Sequence, residues 1–239
     1  HPFFMKNFTL NCKGKLLTVD APIVMGILNL TDDSFYDGGK YISEAAVLAR
    51  VEQMLADGAT IIDIGGMSTR PYAAVVSEEE ELKRVLGPIG MIHKHFPDAI
   101  LSIDTVRSSV AEAVILQGVS IVNDISGGTE DEQIFRVAAK YSCPLILMHR
   151  QGNLQTMHQE KSYTHLLTDI LDYFTRQIGK ATEAGIKDVI VDVGFGFSKT
   201  IDQNYSLLKN ISVFEQLNRP LLAGLSRKSM LYKLLNTTA

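Results

Sequence analysis

Seven short runs of Ile, Val and Leu recur along the 239-residue chain and constrain its fold more than any other feature. They occupy residues 23–30, 60–66, 100–105, 120–125, 144–149, 189–194 and 220–226. Most of these runs are continuous rather than alternating, which is typical of strands buried on both faces of a parallel sheet. Stretches with helical periodicity separate them, so the sequence predicts repeated βα units.

Capping signals predict where several of the intervening helices begin. Thr129 with Glu132 forms a capping box, and Asp202 is placed to cap a helix that runs to about residue 217. The Gly87-Pro88 pair is expected to break or kink the helix that contains it. Before the first βα unit, residues 9–11 and 16–19 about a Lys-Gly pair predict a small hairpin.

Polar residues gather at the carboxyl ends of nearly all the predicted strands. They are Asn29, Asp63, Asp104, Asn123, Asp124, His149, Asp192 and Ser226. An open doubly wound sheet concentrates its site at one switch point, whereas a barrel collects residues from many strand ends on one face. The pattern therefore predicts a TIM-type (β/α)8 barrel with an N-terminal β-hairpin. Since only seven units are visible, we expect the eighth βα unit to be missing from this chain.

The chain shows no linker, so we expect one domain. Residues 1–4 precede a methionine and resemble an expression remnant, which leaves residues 5–239 as a single, C-terminally incomplete barrel domain. The formal net charge of −4 argues against a general nucleic-acid binder. No apolar run reaches the length of a membrane helix, and two cysteines without zinc spacing favour a reducing cytoplasm.

Four of the strand-end groups, Asp104, Asn123, Asp124 and Asp192, point to a ligand rich in N–H donors. A carboxylate accepts two parallel hydrogen bonds from a ring N–H and an exocyclic amine, as guanine-like or pterin-like heterocycles offer. The alternative is that some of these groups cap the following helix, which is most plausible for Asp124.

Three loops carry weaker signals. Residues 31–39 and 65–71 combine glycines with hydroxyl, aromatic and arginine side chains, a composition that suits either a closing lid or an ordinary solvated loop. Residues 224–229 (GLSRKS) follow the seventh strand, where barrels often bind phosphate.

Seven motifs, in order, resemble those of the dihydropteroate synthase family of pterin-binding barrels. They are residues 25–35 (MGILNLTDDSF, followed by DGG), 62–71 (IDIGGMSTRP), 102–105 (SIDT), 123–128 (NDISGG), 147–149 (LMH), 192–199 (DVGFGFSK) and 224–229 (GLSRKS). The resemblance covers essentially all residues from 22 onward. It implies a transferase of folate biosynthesis, of the class that sulfonamides target. Such an enzyme joins 6-hydroxymethyl-7,8-dihydropterin diphosphate to p-aminobenzoate and releases diphosphate.

The resemblance also implies roles for individual residues. Asp104, Asn123, Asp192 and Lys228 would hold the pterin, with Met148 and Phe197 lining its slot, and Asn29 would help to bind Mg²⁺. Phe35, Thr69, Arg70, Pro71 and Ser229 would shape the p-aminobenzoate pocket, and Asp37 would act from the first loop. Asp37, Asp104, Asp192 and Lys228 are the catalytic candidates. A homodimer is implied as well.

The chain departs from the family pattern at Asp32 and Arg150, and the family's eighth-strand Arg and His are absent. Arg150 is expected to add positive potential at the barrel mouth. Two other classes stay open: a corrinoid-dependent, pterin-binding methyltransferase and a non-catalytic pterin-binding protein. Neither needs a p-aminobenzoate pocket, so the two loop motifs favour the synthase.

Overall fold

The computed structural model describes residues 6–31, 36–37, 41–68, 75–226 and 228–234. The strands are β1 (Phe8–Cys12), β2 (Lys15–Val19), β3 (Val24–Asn29), β4 (Tyr36–Asp37), β5 (Tyr41–Ile42), β6 (Ala59–Gly65), β7 (Ile100–Asp104), β8 (Ile121–Asp124), β9 (Leu145–Met148), β10 (Val189–Asp192) and β11 (Leu221–Leu222). The α-helices are α1 (Glu44–Ala56), α2 (Glu78–His95), α3 (Ser108–Ile115), α4 (Gln133–Lys140), α5 (Leu166–Glu183), α6 (Ile201–Lys209) and α7 (Ser229–Leu234). A 3₁₀ helix, Ile211–Leu217, follows α6.

Seven strands form one parallel sheet in the order β3-β6-β7-β8-β9-β10-β11, as the apolar runs predict. Each successive strand pairs with its predecessor because a helix returns the chain across one face of the sheet. The described part of the chain thus supplies seven of the eight strands of the predicted barrel. It contains no helix that is both long and apolar enough to cross a membrane.

A layer of isoleucines marks the interior of the curled sheet. This layer, which we call the floor, consists of Ile61, Ile100, Ile121, Ile146 and Ile190. Met25 of β3 and Leu222 of β11, from the two outermost strands, pack against the same residues, so the sheet curls around them. The predicted hairpin is present as antiparallel β1 and β2, and its Leu10, Cys12 and Leu17 belong to the same buried cluster. The hairpin therefore closes the barrel at its amino end.

Most of the apolar core lies between the outer face of the sheet and the helices. Helix α1 begins at Ser43, whose side chain accepts from the Ala46 N–H, and ends before Gly58, whose φ is +100°. That backbone conformation favours glycine, so Gly58 ends the helix.

Two of the predicted helix starts are wrong. Helix α4 begins at Gln133 without a side-chain cap, and the Thr129 hydroxyl instead donates to the Ser126 carbonyl. Thr200, not Asp202, caps α6 and forms a capping box with Gln203. Helix α2 continues without a break through Pro88.

Candidate active site at the carboxyl ends of the strands

Strand periodicity places four predicted site residues on the inner face of the sheet. Side chains two residues apart on a strand share a face, and Asn123, Met148 and Asp192 each lie two residues beyond a floor isoleucine. Asp104 lies four residues beyond Ile100 and is in register with Asn123. The strands thus bring these four residues, as the sequence predicts, to the upper part of one lumen.

Asp192 is the most constrained of the carboxylates. Its Oδ1 accepts a hydrogen bond of 2.8 Å from the Gly194 N–H. Burial raises the pKa of Asp192, whereas this hydrogen bond and the charges of Lys228 and Lys199 oppose the rise. Positive charge close by keeps the ionised form accessible.

The pKa of Asp104 is raised by burial and by neighbouring negative charges together. Burial raises its pKa well above the ordinary value, and the neighbouring carboxylates of Asp63, Glu81 and Asp124 raise it further. A ligand that donates N–H groups or carries positive charge would relieve this repulsion.

An apolar shelf borders the carboxylates. Met148 and Phe197 pack in one cluster with Val106, Ile125 and Met157. The Lys228 Nζ lies 4.4 Å from the centroid of the Phe197 ring, close enough for a cation–π contact. Burial lowers the pKa of Lys228, and Asp192 opposes this effect. A planar heterocycle with one polar edge would suit this combination of apolar surface and charged groups.

The buried Lys199 ties together the two loops that follow β9 and β10. Its Nζ donates to the carbonyl oxygens of Gly194 and Phe197 at 3.0 Å and of His149 at 3.3 Å. Burial lowers the pKa of Lys199 to about 7. The sequence motif contained this lysine, but its structural role could not be inferred without the fold.

Asp124, His149 and Arg150 do not join the lumen group. Asp124 accepts from the Ser126 and Gly128 N–H groups at 2.7 and 2.6 Å, so it caps the turn after β8, whereas the alternative considered for it was a cap on the following helix. The His149 ring packs edge-on against Tyr173, and burial lowers its pKa well below the ordinary value. Arg150 is buried, donating to Ile125 and paired with Glu130, so the prediction that it adds positive potential at the mouth is wrong.

Asn29, the predicted metal residue, lies at the exposed end of β3. Gly65 separates it from Asp104: a methyl group at position 65 would lie 3.5 Å from Asn29 Oδ1 and 3.7 Å from Asp104 Oδ2. The predicted metal and pterin sites are therefore adjacent. Within the described ranges, no group of three or more His, Cys, Asp or Glu side chains could hold a metal ion.

The remaining predicted site residues cannot be placed in the same detail. Phe35, Thr69, Arg70 and Pro71 lie outside the described residues, as do the side chains of Asp37 and Ser229. Sequence reasoning assigned no role to Asp63, although it was noted at the end of a strand. It is a buried carboxylate whose Oδ2 accepts from the Asn123 amide at 2.9 Å.

The fold and the lumen together define a class of protein: an α/β barrel with buried carboxylates beside an apolar surface at the carboxyl ends of its strands. Comparison with known proteins narrows this class. Residues 25–239 match the family model described as pterin binding enzyme. The dihydropteroate synthase of Haemophilus influenzae is 41% identical over 224 residues, which are 93% of this chain and 81% of that protein.

Solved structures of dihydropteroate synthases are also similar to this chain. The Xanthomonas albilineans dihydropteroate synthase with 4-aminobenzoic acid superimposes with a TM-score of 0.89 at 34% identity, covering 98% of this chain and 84% of that one. The Yersinia pestis enzyme in a sulfonamide drug complex gives a TM-score of 0.88 at 42% identity, covering 97% and 84%. This chain belongs to the dihydropteroate synthase family of pterin-binding enzymes, and the family's activity is that of a transferase.

Proposed function

We propose that this protein joins 6-hydroxymethyl-7,8-dihydropterin diphosphate to p-aminobenzoate, giving 7,8-dihydropteroate and diphosphate for folate synthesis. The observation that carries the proposal is the group of buried acceptors in the lumen, whose carboxyl pKa values are raised by burial. Buried acceptors without donors are costly, and a pterin supplies the missing N–H groups from its ring and its amine.

Different residues around the lumen bind different parts of the pterin. Asp192 and Asp104 accept N–H groups, and Asn123 supplies an amide next to Asp104. Met148 and Phe197 offer apolar surface to the ring faces, and Lys228 provides a cation beside Asp192.

Bond cleavage follows a dissociative displacement. The C–O bond between the pterin methylene and diphosphate breaks, and the electron-rich dihydropterin carries the resulting positive charge. Asp104 and Asp192 stabilise this charge because both lie on the inner face of the sheet, where the Gly194 N–H holds Asp192 in place. The amine of p-aminobenzoate then attacks the methylene carbon and loses a proton, so no covalent enzyme intermediate is required.

Mg²⁺ is proposed as the cofactor. The exposed Asn29 amide oxygen and the adjacent Asp104 carboxylate are the hard oxygen donors that Mg²⁺ prefers. When bound, the ion would neutralise charge on the diphosphate leaving group. Since the described residues offer few such donors, substrate oxygens and water would complete the coordination shell.

The second substrate is proposed to bind between the loops of residues 31–39 and 65–71, which contain Phe35, Asp37, Thr69, Arg70 and Pro71. Ser229, at the start of α7, would complete the pocket. The relatives support this assignment, because one was solved with 4-aminobenzoic acid and another with a sulfonamide drug. We infer that this protein is a sulfonamide target too.

A turnover assay with both substrates and Mg²⁺ tests the proposal. Formation of dihydropteroate with one equivalent of diphosphate supports a synthase. Methyl transfer to a corrinoid, or pterin binding without turnover, would instead identify one of the two competing classes. Omitting p-aminobenzoate is the matched control, because net product formation requires the amine.

We also propose a cytoplasmic location and a homodimeric state for this protein. Cys12 and Cys143 are both buried free thiols, which is consistent with a reducing cytoplasmic location. The homodimer stays a prediction, and sedimentation velocity at several protein concentrations would test it.

A further inference from the structure

Asp63 occupies an unusual place for a carboxylate. It lies in β6 with its side chain on the face of the floor isoleucine Ile61, between the register partners Ile27 and Ser102 on the neighbouring strands. Only 3% of the residue is exposed. It precedes Gly65 by two residues on β6 and, like Asn123 and Asp192, lies two residues beyond a floor isoleucine.

The two oxygens of Asp63 have different surroundings. Oδ2 accepts the 2.9 Å hydrogen bond from Asn123 Nδ2, whereas Oδ1 is buried without a hydrogen-bond partner among the described residues. Two carboxylates influence Asp63: Asp104 on the neighbouring strand β7 and Asp192 on β10, which is four strands away from β6 in the sheet. Lys199 and Lys228 lie near Asp192. Burial and the charge of Asp192 both disfavour the ionised form of Asp63, so the fold retains a carboxylate where an apolar residue would be less costly.

The hydrogen bond has a consequence for Asn123. A side-chain amide can present either its oxygen or its NH₂ group to a ligand, and the two faces have opposite hydrogen-bonding character. An ionised carboxylate only accepts, so Asp63 engages the NH₂ group of Asn123. The amide oxygen of Asn123 is left for the ligand.

We propose that Asp63 is a positioning residue that fixes the orientation of the Asn123 amide, so that the site selects ligands that donate an N–H at this point. The inference rests on the proposed function, because it assigns a cause to the specificity of the same pterin site. Asp63 acts through Asn123 and needs no contact with the ligand itself.

Exchanging the two residues tests the proposal. In Asn123→Asp, two carboxylates face each other in the lumen, and we expect 6-hydroxymethylpterin to bind about 30-fold more weakly, the effect of one lost buried contact. In the double variant Asp63→Asn/Asn123→Asp, the new amide at 63 donates to the new carboxylate at 123. An acceptor again faces the ligand, and we expect most of the affinity to return.

Asp63→Asn alone is a second, milder variant. An amide at 63 can pair with either face of Asn123, so the orientation is no longer fixed. We expect a several-fold rise in the KM for the pterin substrate with the KM for p-aminobenzoate unchanged. Asp98→Asn is the matched control, because it makes the same substitution at an exposed surface carboxylate. This control should leave the affinity for pterin unchanged.

Calorimetric titration of the wild type is the first arm, and thermal unfolding shows that each variant is folded. Absence of pterin binding by the wild type would overturn the proposed function. Binding by the wild type without recovery in the double variant would overturn the present inference alone. If the double variant does not fold, an unchanged pterin KM in Asp63→Asn would overturn the inference as well.

Discussion

Asp192 is held by one backbone donor and flanked by two lysines, so its free oxygen has a defined direction. We predict that Asp192→Asn weakens pterin binding by about 2–4 kcal/mol, because the amide replaces a bidentate acceptor with one acceptor and one mismatched donor. Calorimetric titration with a non-hydrolysable pterin measures the change. Asp98→Asn, at an exposed surface carboxylate, is the control. A loss smaller than threefold would remove Asp192 from the site.

Asp63 also predicts a pH effect on stability. Burial raises its pKa from 3.8 to about 6, so between these values the folded protein holds more protons than the unfolded chain. The contribution of Asp63 to the free energy of unfolding therefore falls as the pH rises from about 4 to 6. Asp63→Asn removes this loss, and we expect the variant to gain stability relative to the wild type across that interval.

Urea unfolding of both proteins at pH 4.5 and pH 7.5 measures this gain. Because Asp63 also raises the pKa of Asp104, the difference between the two proteins reports position 63 together with this neighbour. An identical difference at the two pH values would show that the Asp63 pKa is not raised by folding.

Individual residues show where prediction from sequence succeeds and where it stops. Asp104, Asn123 and Asp192 could be assigned to the lumen because each ends a buried strand and the family motifs agree. Asp124 also ends a strand, but it directly follows the inward Asn123 and faces the other side, where backbone N–H groups surround it. The role of Asp63 depends on a contact with a residue 60 positions away, which no local pattern reveals.

At the scale of elements, two glycines differ in the space around them: Gly194 in the turn after β10 and Gly179 in α5. An added methyl group should therefore affect stability differently at the two positions. Gly194 has a φ of +70°, and a methyl group there would overlap the carbonyl oxygen of His149. Gly179 lies in α5, with no heavy atom within 4 Å of an added methyl group. We predict that Gly194→Ala costs more than about 3 kcal/mol in the free energy of unfolding, whereas Gly179→Ala gains about 0.5–1 kcal/mol.

Chemical denaturation measures both changes. Comparable effects of the two substitutions would mean that the turn relaxes around an added methyl group. Because Gly194 also donates to Asp192, Gly194→Ala should weaken pterin binding in any fraction that remains folded.

The strands could be predicted because several consecutive apolar residues together indicate each one. Each run is apolar throughout, and burial on both faces of a parallel sheet requires that composition. Helix starts depend on single side chains, and several nearby polar residues compete for each position. Thr200 precedes Asp202 by two residues and caps α6 because it also finds Gln203 as its reciprocal partner. The Thr129 signal fails because its hydroxyl is used by the preceding turn.

At the scale of the whole molecule, the order of substrate binding is the main prediction. Fixing a loop residue in one conformation costs about 1–2 kcal/mol, and a ligand as small as p-aminobenzoate cannot offset that cost over several residues. We predict weak binding of p-aminobenzoate to the free protein and much tighter binding with Mg²⁺, diphosphate and a pterin present. Arg70→Ala should abolish the enhancement while leaving pterin affinity nearly unchanged.

Equilibrium titration of p-aminobenzoate under both conditions tests this order. Equal affinities would mean that the pocket is preformed.

Metal dependence is a separate prediction. We expect turnover to require Mg²⁺, although the free protein binds the ion only weakly because the described residues offer few convergent oxygen donors. Addition of a chelator should stop turnover, and excess Mg²⁺ should restore it. Calorimetry showing micromolar Mg²⁺ affinity without diphosphate would contradict the expected dependence on substrate oxygens.

The hairpin beneath the isoleucine floor determines how molecules can move through the barrel. Leu10, Cys12 and Leu17 cover the amino end of the lumen, so the carboxyl ends of the strands form its entrance. The proposed pterin site lies deeper in the lumen than the proposed site for the second substrate. A molecule lodged near the entrance therefore traps the heterocycle below it, and an inhibitor of the outer position would retain the pterin instead of displacing it.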